Sequence, residues 1–421
     1  MPTNDESAHK FNADELQAPE WINDDLFAKV LANCEKKDSQ IKIKSTKISP
    51  ASMKGDHYAS VMFRAQLQYQ LDGVDKARSV ILKTMPETEG HKKDMLGKTD
   101  IFEKEIIMYT EVIPRFEKVL RDIGDSTVLK AACLYYSLSP RKVIVFEDLV
   151  PVGYEVVRDR PLTEEEVKAA YDKLAKWHAI SHKINLEDPH YFDKFYQGVF
   201  NMSALAKQDF VIRGITTFIE VLRETPSLSK YVPYFAAVEA TTFQQCRASF
   251  DEYRKSPKPG AFYVLCHGDF HCKNMMFKHN KETGKFEDVM LLDYQVGYVG
   301  PIVMDLIYSK YFILDEHLRL EFPALVYRYF TTLTGTLKKI GFEGELPKLA
   351  EIHKQFMRHK HFELFLLTTF LPMWMAMKDD IDMDSVMTSE EYRRNLCKSA
   401  EYIKYLESAL PRLLHLGYFE D

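Results

Sequence analysis

No stretch of this 421-residue sequence stays apolar for the ~20 residues that a bilayer-spanning helix needs. The strongest apolar run, Leu364 to Met377, is shorter and interrupted by Pro372, which predicts a buried helix and no membrane partner. Basic residues are not in excess either. The formal net charge is -6, so no cationic stripe announces a nucleic-acid partner. Cysteine is scarce, and Cys34, Cys133, Cys246, Cys266, Cys272 and Cys397 form no C-x-x-C pair, the pattern of reduced thiols in a cytoplasmic protein. A P-loop is missing: Gly97-Lys98-Thr99 has the ending of one, but Gly90 stands two residues too far upstream. Met1 to Glu20 has neither a basic n-region nor an apolar h-region and reads as a flexible arm, with residues 1–40 forming that arm and a first helix.

What is there describes an ordinary globular chain, 46% hydrophobic and 28% charged, long enough to exceed a single core and so to form two lobes. Residues 41–149 are mostly strand-like. Ile41 to Ser45, Tyr58 to Tyr69, Ala77 to Met85, Cys133 to Leu138 and Lys142 to Phe146 carry β-branched or aromatic residues between turn signals. One helix interrupts them, Asp100 to Ile113, with Pro114 as its stop. Residues 150–421 are chiefly helical. Thr163 with Glu166 makes a capping box before a helix over 164–182, and Thr388 with Glu391 repeats the device before Tyr392 to Leu410. Further helical patterns fill 205–255 and 301–376, with a helix start at Pro301. The β interruption is a short strand, Tyr263 to Cys266, a loop over His267 to Asn274, and a hairpin of Met275 to Lys278 with Val289 to Leu292.

That loop carries the chemistry. Asp269 and Asn274 stand in D-x-x-x-x-N spacing, as in a kinase catalytic loop, where the aspartate serves the attacking hydroxyl and the asparagine helps to hold magnesium. Asp293, at the end of the hairpin, occupies the place of the metal-binding aspartate of D-F-G. Singly, each is an ordinary turn-capping residue; in this order between strands they point to phosphoryl transfer. Zinc on Cys266, His267, His271 and Cys272 matches no usual ligand spacing.

A kinase also needs a lysine on a strand and a glutamate on the next helix, which Lys83 and Glu105 supply; taken singly, each is an ordinary surface charge. Gly55, in Lys54-Gly55-Asp56-His57-Tyr58, sits where a phosphate-covering turn belongs, with a plain turn as the equal alternative. Glu147 and Leu149, in Phe146-Glu147-Asp148-Leu149, suit a hinge whose backbone meets adenine, or a linker.

These motifs resemble the insect ecdysteroid-kinase-like family, within the choline and aminoglycoside kinases, from about Ile41 to Leu410. The likeness includes Gly55-Asp56-His57-Tyr58-Ala59-Ser60, Phe102-Glu103-Lys104-Glu105 with Tyr109, Glu147-Asp148-Leu149 with Gly153-Tyr154, and Trp177-His178-Ala179. His57 departs from it, standing where asparagine often occurs in the family. The resemblance implies an α+β, bilobal protein-kinase-like fold with a β-rich N-lobe, a mainly helical C-lobe and ATP in the cleft. It implies Lys83 on the phosphates, Glu105 as its partner, Asp269 as catalytic aspartate, and Asn274 and Asp293 as magnesium ligands. It also implies a hydroxylated small molecule as acceptor, an ecdysteroid or a xenobiotic, and no obligate protein partner. Asp305 is placed by it to support the catalytic loop; an N-terminal helix charge is the other account.

Only eleven residues separate Asp293 from Asp305, little room for a peptide-docking segment, so a small acceptor is favoured over a protein one. The rival readings are a catalytically silent binding protein and a protein kinase. Phe362 to Met377, rich in Phe, Met and Trp, either lines an apolar acceptor pocket or packs the core.

Overall fold

The computed structural model describes residues 13–35, 40–53, 60–87, 91–377 and 381–420. The turn that holds Gly55 lies outside them. The described chain forms two compact units of α+β architecture. The first holds residues up to Arg121 with Asp125–Asp159 and Lys273–Gln295; the second holds Asp122–Gly124, Arg160–Cys272 and the residues from Val296 onward.

Ten strands occur among the described residues: β1 (Ile41–Pro50), β2 (Val61–Leu71), β3 (Val74–Thr84), β4 (Cys133–Ser137), β5 (Val143–Glu147), β6 (Tyr154–Glu155), β7 (Tyr263–Cys266), β8 (Met275–His279), β9 (Phe286–Leu291) and β10 (Tyr298–Pro301). In the first unit an antiparallel sheet runs β1-β2-β3-β5-β4. Period-two alternation in β2 sends Phe63, Ala65, Leu67 and Tyr69 to the buried face. There they meet Val80 and Leu82 of β3, together with Phe27, Val30 and Leu31 of the helix Asp24–Cys34. Asp72 and Gly73, both at positive φ (51° and 82°), close the β2–β3 hairpin with the turn that Asp-Gly favours.

The helix expected to stop at Pro114 does not stop there. Ile101–Ile107 runs into a π turn, Met108–Val112, and then into a helix Ile113–Asp122. The wider turn puts Pro114 in the first turn of a new helical segment, where its missing N–H costs nothing. The same device recurs at Pro372, where the π turn Leu366–Phe370 leads into Leu371–Ala376.

A second sheet, β6-β8-β9, belongs to the first unit, because Tyr154 pairs with Lys278 and Met275 with Leu291. This pairing draws residues 150–159 and 273–295 into that unit, whereas sequence alone groups them with 150–421.

The second unit is built on the helix Glu164–Glu187, which opens on the Thr163–Glu166 capping box. Its sheet is β7 with β10, antiparallel, Tyr298 opposite Cys266 and Pro301 opposite Tyr263. The helix expected from Pro301 therefore begins later, at Met304–Phe312; pairing with β7 holds residues 298–301 extended. Likewise the cap expected at Thr388 falls on Ser389, whose hydroxyl accepts from Tyr392 N, and the expected long helix divides into Glu390–Cys397 and Ala400–His415. The Phe362 to Met377 segment splits by burial: Phe362, Leu364 to Leu367, Leu371 and Met373 are core, while Trp374 to Met377 are partly exposed. Among the described residues no helix is long and apolar enough to cross a membrane.

Candidate active site

In the first unit the end of β3 turns Lys83 away from the face that buries Leu82, and the helix Ile101–Ile107 presents Glu105 to it. Lys83 Nζ lies 2.7 Å from Glu105 Oε2 and 2.8 Å from Asp293 Oδ1, with side chains 3%, 1% and 14% exposed. One ammonium thus serves two carboxylates in a buried setting. Burial pushes the Glu105 carboxyl up, the Lys83 charge opposes that and the Asp293 charge adds to it, leaving Glu105 at about 7. Burial works against the Lys83 ammonium, but Asp293 and Glu105 together prevail and hold its pKa above the usual lysine value. With both carboxylates ionised the group carries one negative charge in excess, an arrangement that a cation would offset.

The hairpin explains how Asn274 and Asp293 come together. Met275 pairs with Leu291, so Asn274 just before β8 lies opposite Leu292 just after β9, and Leu292 N donates to Asn274 O at 2.9 Å. Asp293 follows at φ 63°, a left-handed conformation that a non-glycine residue holds only when its surroundings fix it. The next residue, Tyr294, is anchored: it is fully buried, and its hydroxyl donates to Leu129 O. Asn274 is 5% exposed. Amide and carboxylate oxygens are the donor set that magnesium prefers, and Gln295, whose side-chain nitrogen lies against Asp293 Oδ2, holds a buried oxygen without a partner among the described residues. The residues present therefore fit a hard divalent cation.

In the second unit the loop after β7 is held by one carboxylate. Asp305, in the first turn of Met304–Phe312, accepts from His267 N at 2.7 Å and from Gly268 N at 2.9 Å. His178 Nε2 lies 3.0 Å from the same carboxylate and its Nδ1 lies 2.6 Å from Tyr329 Oη. Neighbouring positions of the His178 helix grip β7 itself: Trp177 Nε1 donates to Leu265 O, and Ser181 Oγ accepts from Leu265 N. Gly268 has φ 83°, and a Cβ there would come within 2.4 Å of Val296 O, so only glycine passes. Among the described residues His178, Cys266 and Asp305 could together hold a metal on spacing alone, but both ring nitrogens of His178 are already hydrogen-bonded, to Asp305 and to Tyr329.

Asp269 sits in that loop with Tyr308 Oη donating to its Oδ1 at 2.7 Å and His271 Nε2 3.4 Å from its Oδ2. Burial alone would raise its carboxyl; His271, Tyr308 and His267 outweigh that and hold it at about 2. It is an ionised carboxylate with one oxygen committed to a tyrosine.

A model of the ecdysteroid kinase-like family matches residues 54–342, more than half of the chain. The chain belongs to that family. Membership makes it a phosphotransferase with a hydroxyl acceptor, of a small-molecule kinase-like kind. Among solved structures, the chain is similar to a Plasmodium vivax ethanolamine kinase at 12% identity, covering 86% of this chain and 83% of that one with a TM-score of 0.35. It is also similar to a microcompartment-associated aminopropanol kinase (14% identity, 91% and 98% covered, TM-score 0.37). A third is macrolide 2'-phosphotransferase MphH from Brachybacterium faecium (12% identity, 87% and 99% covered, TM-score 0.32). No curated protein matches it.

The other family positions named from sequence divide. Glu147, at the end of β5, turns its carboxylate to the residue that precedes β4, accepting from Ala132 N at 2.6 Å, so its side chain is committed within the protein. Leu149 is 5% exposed and packs with Ala131 and Met290, with Tyr154, Met276 and Leu292 half-buried around them. Sequence reasoning assigned nothing to Asp148, which binds Arg64 Nε at 2.7 Å and Ser79 Oγ at 2.6 Å and so anchors the segment between Glu147 and Leu149. It also passed over Tyr308; the signal was its place one helical turn after Asp305.

Asp305→Ala should lower unfolding stability by about 3–5 kcal/mol, because His267 N, Gly268 N and His178 lose the carboxylate that they share. Urea titration of the purified variant checks this. A midpoint equal to wild type would mean that the loop holds itself.

Proposed function

We propose that this chain is an ATP- and magnesium-dependent kinase that phosphorylates a hydroxyl of an apolar small molecule, such as an ecdysteroid or a xenobiotic. The observation that carries the reading is the buried Lys83–Glu105–Asp293 group, an ammonium fixed on a rigid strand by two carboxylates. Glu105 aims the ammonium, and Lys83 then offers its remaining hydrogen-bonding capacity to the phosphates of the nucleotide. Asn274 and Asp293 would hold magnesium, which when bound neutralises charge on those phosphates. Leu149 and its half-buried neighbours Met276 and Leu292 offer an apolar face for adenine, with Glu147 and Leu149 contributing backbone groups only.

Asp269 accepts the hydrogen bond of the acceptor hydroxyl and orients its oxygen toward the γ-phosphorus. A carboxylate near 2 is too weak a base to strip an alcohol early. The proton therefore leaves late, as the O–P bond forms and the bond to ADP breaks, which suits the loose transition state of phosphoryl transfer. Tyr308 holds one carboxylate oxygen and so fixes the direction of the other.

The apolar character of the acceptor rests on the aromatic wall beside Asp269. Tyr308 packs on Phe312 (ring centroids 4.5 Å apart), Phe312 on Trp374 (5.1 Å) and Trp374 on His271 (5.2 Å). Trp374 is partly exposed, so its ring is available to a flat apolar molecule that brings a hydroxyl to the carboxylate. The test is incubation with ATP, Mg2+ and a panel of ecdysteroids, sterols, choline and plant glycosides, with products read by mass spectrometry. A sterol- or ecdysteroid-derived product heavier by one phosphate supports the reading. Phosphorylation of choline alone would overturn the apolar acceptor.

A further inference from the structure

Gln295 stands two residues after Asp293 and is 4% exposed. Its side-chain nitrogen lies 3.1 Å from Asp293 Oδ2. An ionised carboxylate only accepts, so the end of Gln295 that faces it has to be the NH2 group, and the other end is the carbonyl oxygen whichever way the amide is drawn. That oxygen, Oε1, is buried and has no hydrogen-bond partner among the described residues. Leaving a buried acceptor unpaired is unfavourable. The arrangement persists because the loop is fixed from the other side: Tyr294 is buried with its hydroxyl on Leu129 O, and Asp293 holds φ 63°, so residues 293 and 295 keep their side chains together.

The chemistry of an orphaned carbonyl oxygen names its ligand. A phosphate oxygen is another acceptor and would be repelled. A cation, or a water polarised by one, is attracted, and uncharged amide oxygens are ordinary partners of hard divalent ions. Two carboxylates, Glu105 and Asp293, share the single Lys83 ammonium beside it, and a cation at the same place would add a second counter-charge. We infer that Gln295 is a third oxygen donor of the divalent-cation site, its Oε1 joining Asn274 and Asp293 in the ion's shell while its NH2 steadies the Asp293 carboxylate. The inference takes the ion from the phosphotransfer reading and the residue from the unpaired oxygen.

Binding of Mn2+, followed by loss of the free-ion electron paramagnetic resonance signal in the presence of a non-hydrolysable ATP analogue, reads this without turnover. Gln295→Met removes the oxygen at similar volume and should weaken Mn2+ binding by about 10- to 100-fold. Binding of the analogue without metal should stay within about twofold, and the melting temperature within a few degrees. Gln295→Glu keeps an oxygen and adds charge, and should hold Mn2+ as tightly as wild type or tighter. If Gln295→Met fails to fold, the glutamate variant decides: metal lost there overturns the inference. A folded Gln295→Met that binds Mn2+ within twofold of wild type also overturns it, leaving the phosphotransfer reading intact. Wild-type protein that binds no Mn2+ with the analogue overturns both.

Discussion

Asp269→Asn should reduce turnover by about 10²- to 10⁴-fold while nucleotide affinity stays within about twofold. The substitution is nearly isosteric. An asparagine oxygen still accepts from Tyr308, so the loop that Asp305 holds through His267 N and Gly268 N keeps its shape. What disappears is the negative charge and the acceptor that orients the substrate hydroxyl. Because the carboxyl lies at about 2, it is ionised at every pH at which the protein is ordinarily assayed. The acid limb of kcat/KM in wild type should therefore not report Asp269. In Tyr308→Phe, which removes one of the interactions that depress it, the Asp269 pKa should move up toward the ordinary carboxylate range of about 4. Steady-state kinetics with the identified acceptor and nucleotide binding by calorimetry check both statements. Wild-type turnover in Asp269→Asn would remove the residue from the mechanism.

Lys83→Met has the second large effect, and it falls on stability as well as activity. The ammonium that two buried carboxylates share would be gone, leaving Glu105 and Asp293 without a counter-charge. Breaking a buried pair in this way costs about 3–5 kcal/mol. The pH dependence follows from Glu105. Its folded value is raised from 4.5 to about 7 even with Lys83 present, so its contribution is fully present below the unfolded value and is lost as pH rises through the folded one. Without Lys83 that folded value rises further. Lys83→Met should thus be severely destabilised at pH 8 and recover much of the loss near pH 5, where Glu105 takes up a proton. The double variant Lys83→Met with Glu105→Leu should regain stability at pH 8 and still lack activity, since the ammonium proposed to bind the nucleotide phosphates is absent. Urea unfolding at the two pH values checks the sign. A Lys83→Met protein as stable as wild type at pH 8 would show that the group is not coupled as its 2.7 and 2.8 Å contacts indicate.

Much of this was legible in the chain because it follows local rules. Period-two alternation in β2, the Asp72-Gly73 turn and the Thr163–Glu166 box are near-neighbour signals, and each element formed where its signal stood. Residues bound by long-range pairing were less legible. Pro301 reads as a helix start in isolation, but partners in β7 hold residues 298–301 extended. Pro114 reads as a stop, but a π turn before it lets the chain continue, as another does before Pro372, a choice set by packing rather than by the proline.

The site shows the same division. Lys83, Glu105 and Asp293 were named from motif order and the fold brings them together, across 22 and 210 positions of sequence. Tyr308 and the Gln295 oxygen carried no role, and Asp148 stood in Glu147-Asp148-Leu149 without one of its own, because these roles depend on surroundings that only the folded chain supplies. The alternative left open for Phe362 to Met377 resolves along its length: the first part packs the core, and the end beginning at Trp374 is partly exposed beside His271 and Phe312.

The proposal stands or falls on whether a phosphoryl group passes directly from ATP to a small-molecule hydroxyl that Asp269 orients. The most direct measurement is transfer of label from γ-labelled ATP, comparing wild type with Asp269→Asn, each supplied in parallel with a small-molecule extract and a total-protein extract of the same tissue. Label in the small-molecule fraction with wild type, and its loss with Asp269→Asn, is the expected result. Label on protein alone, or no transfer to either fraction from a wild-type protein that binds ATP, would contradict it.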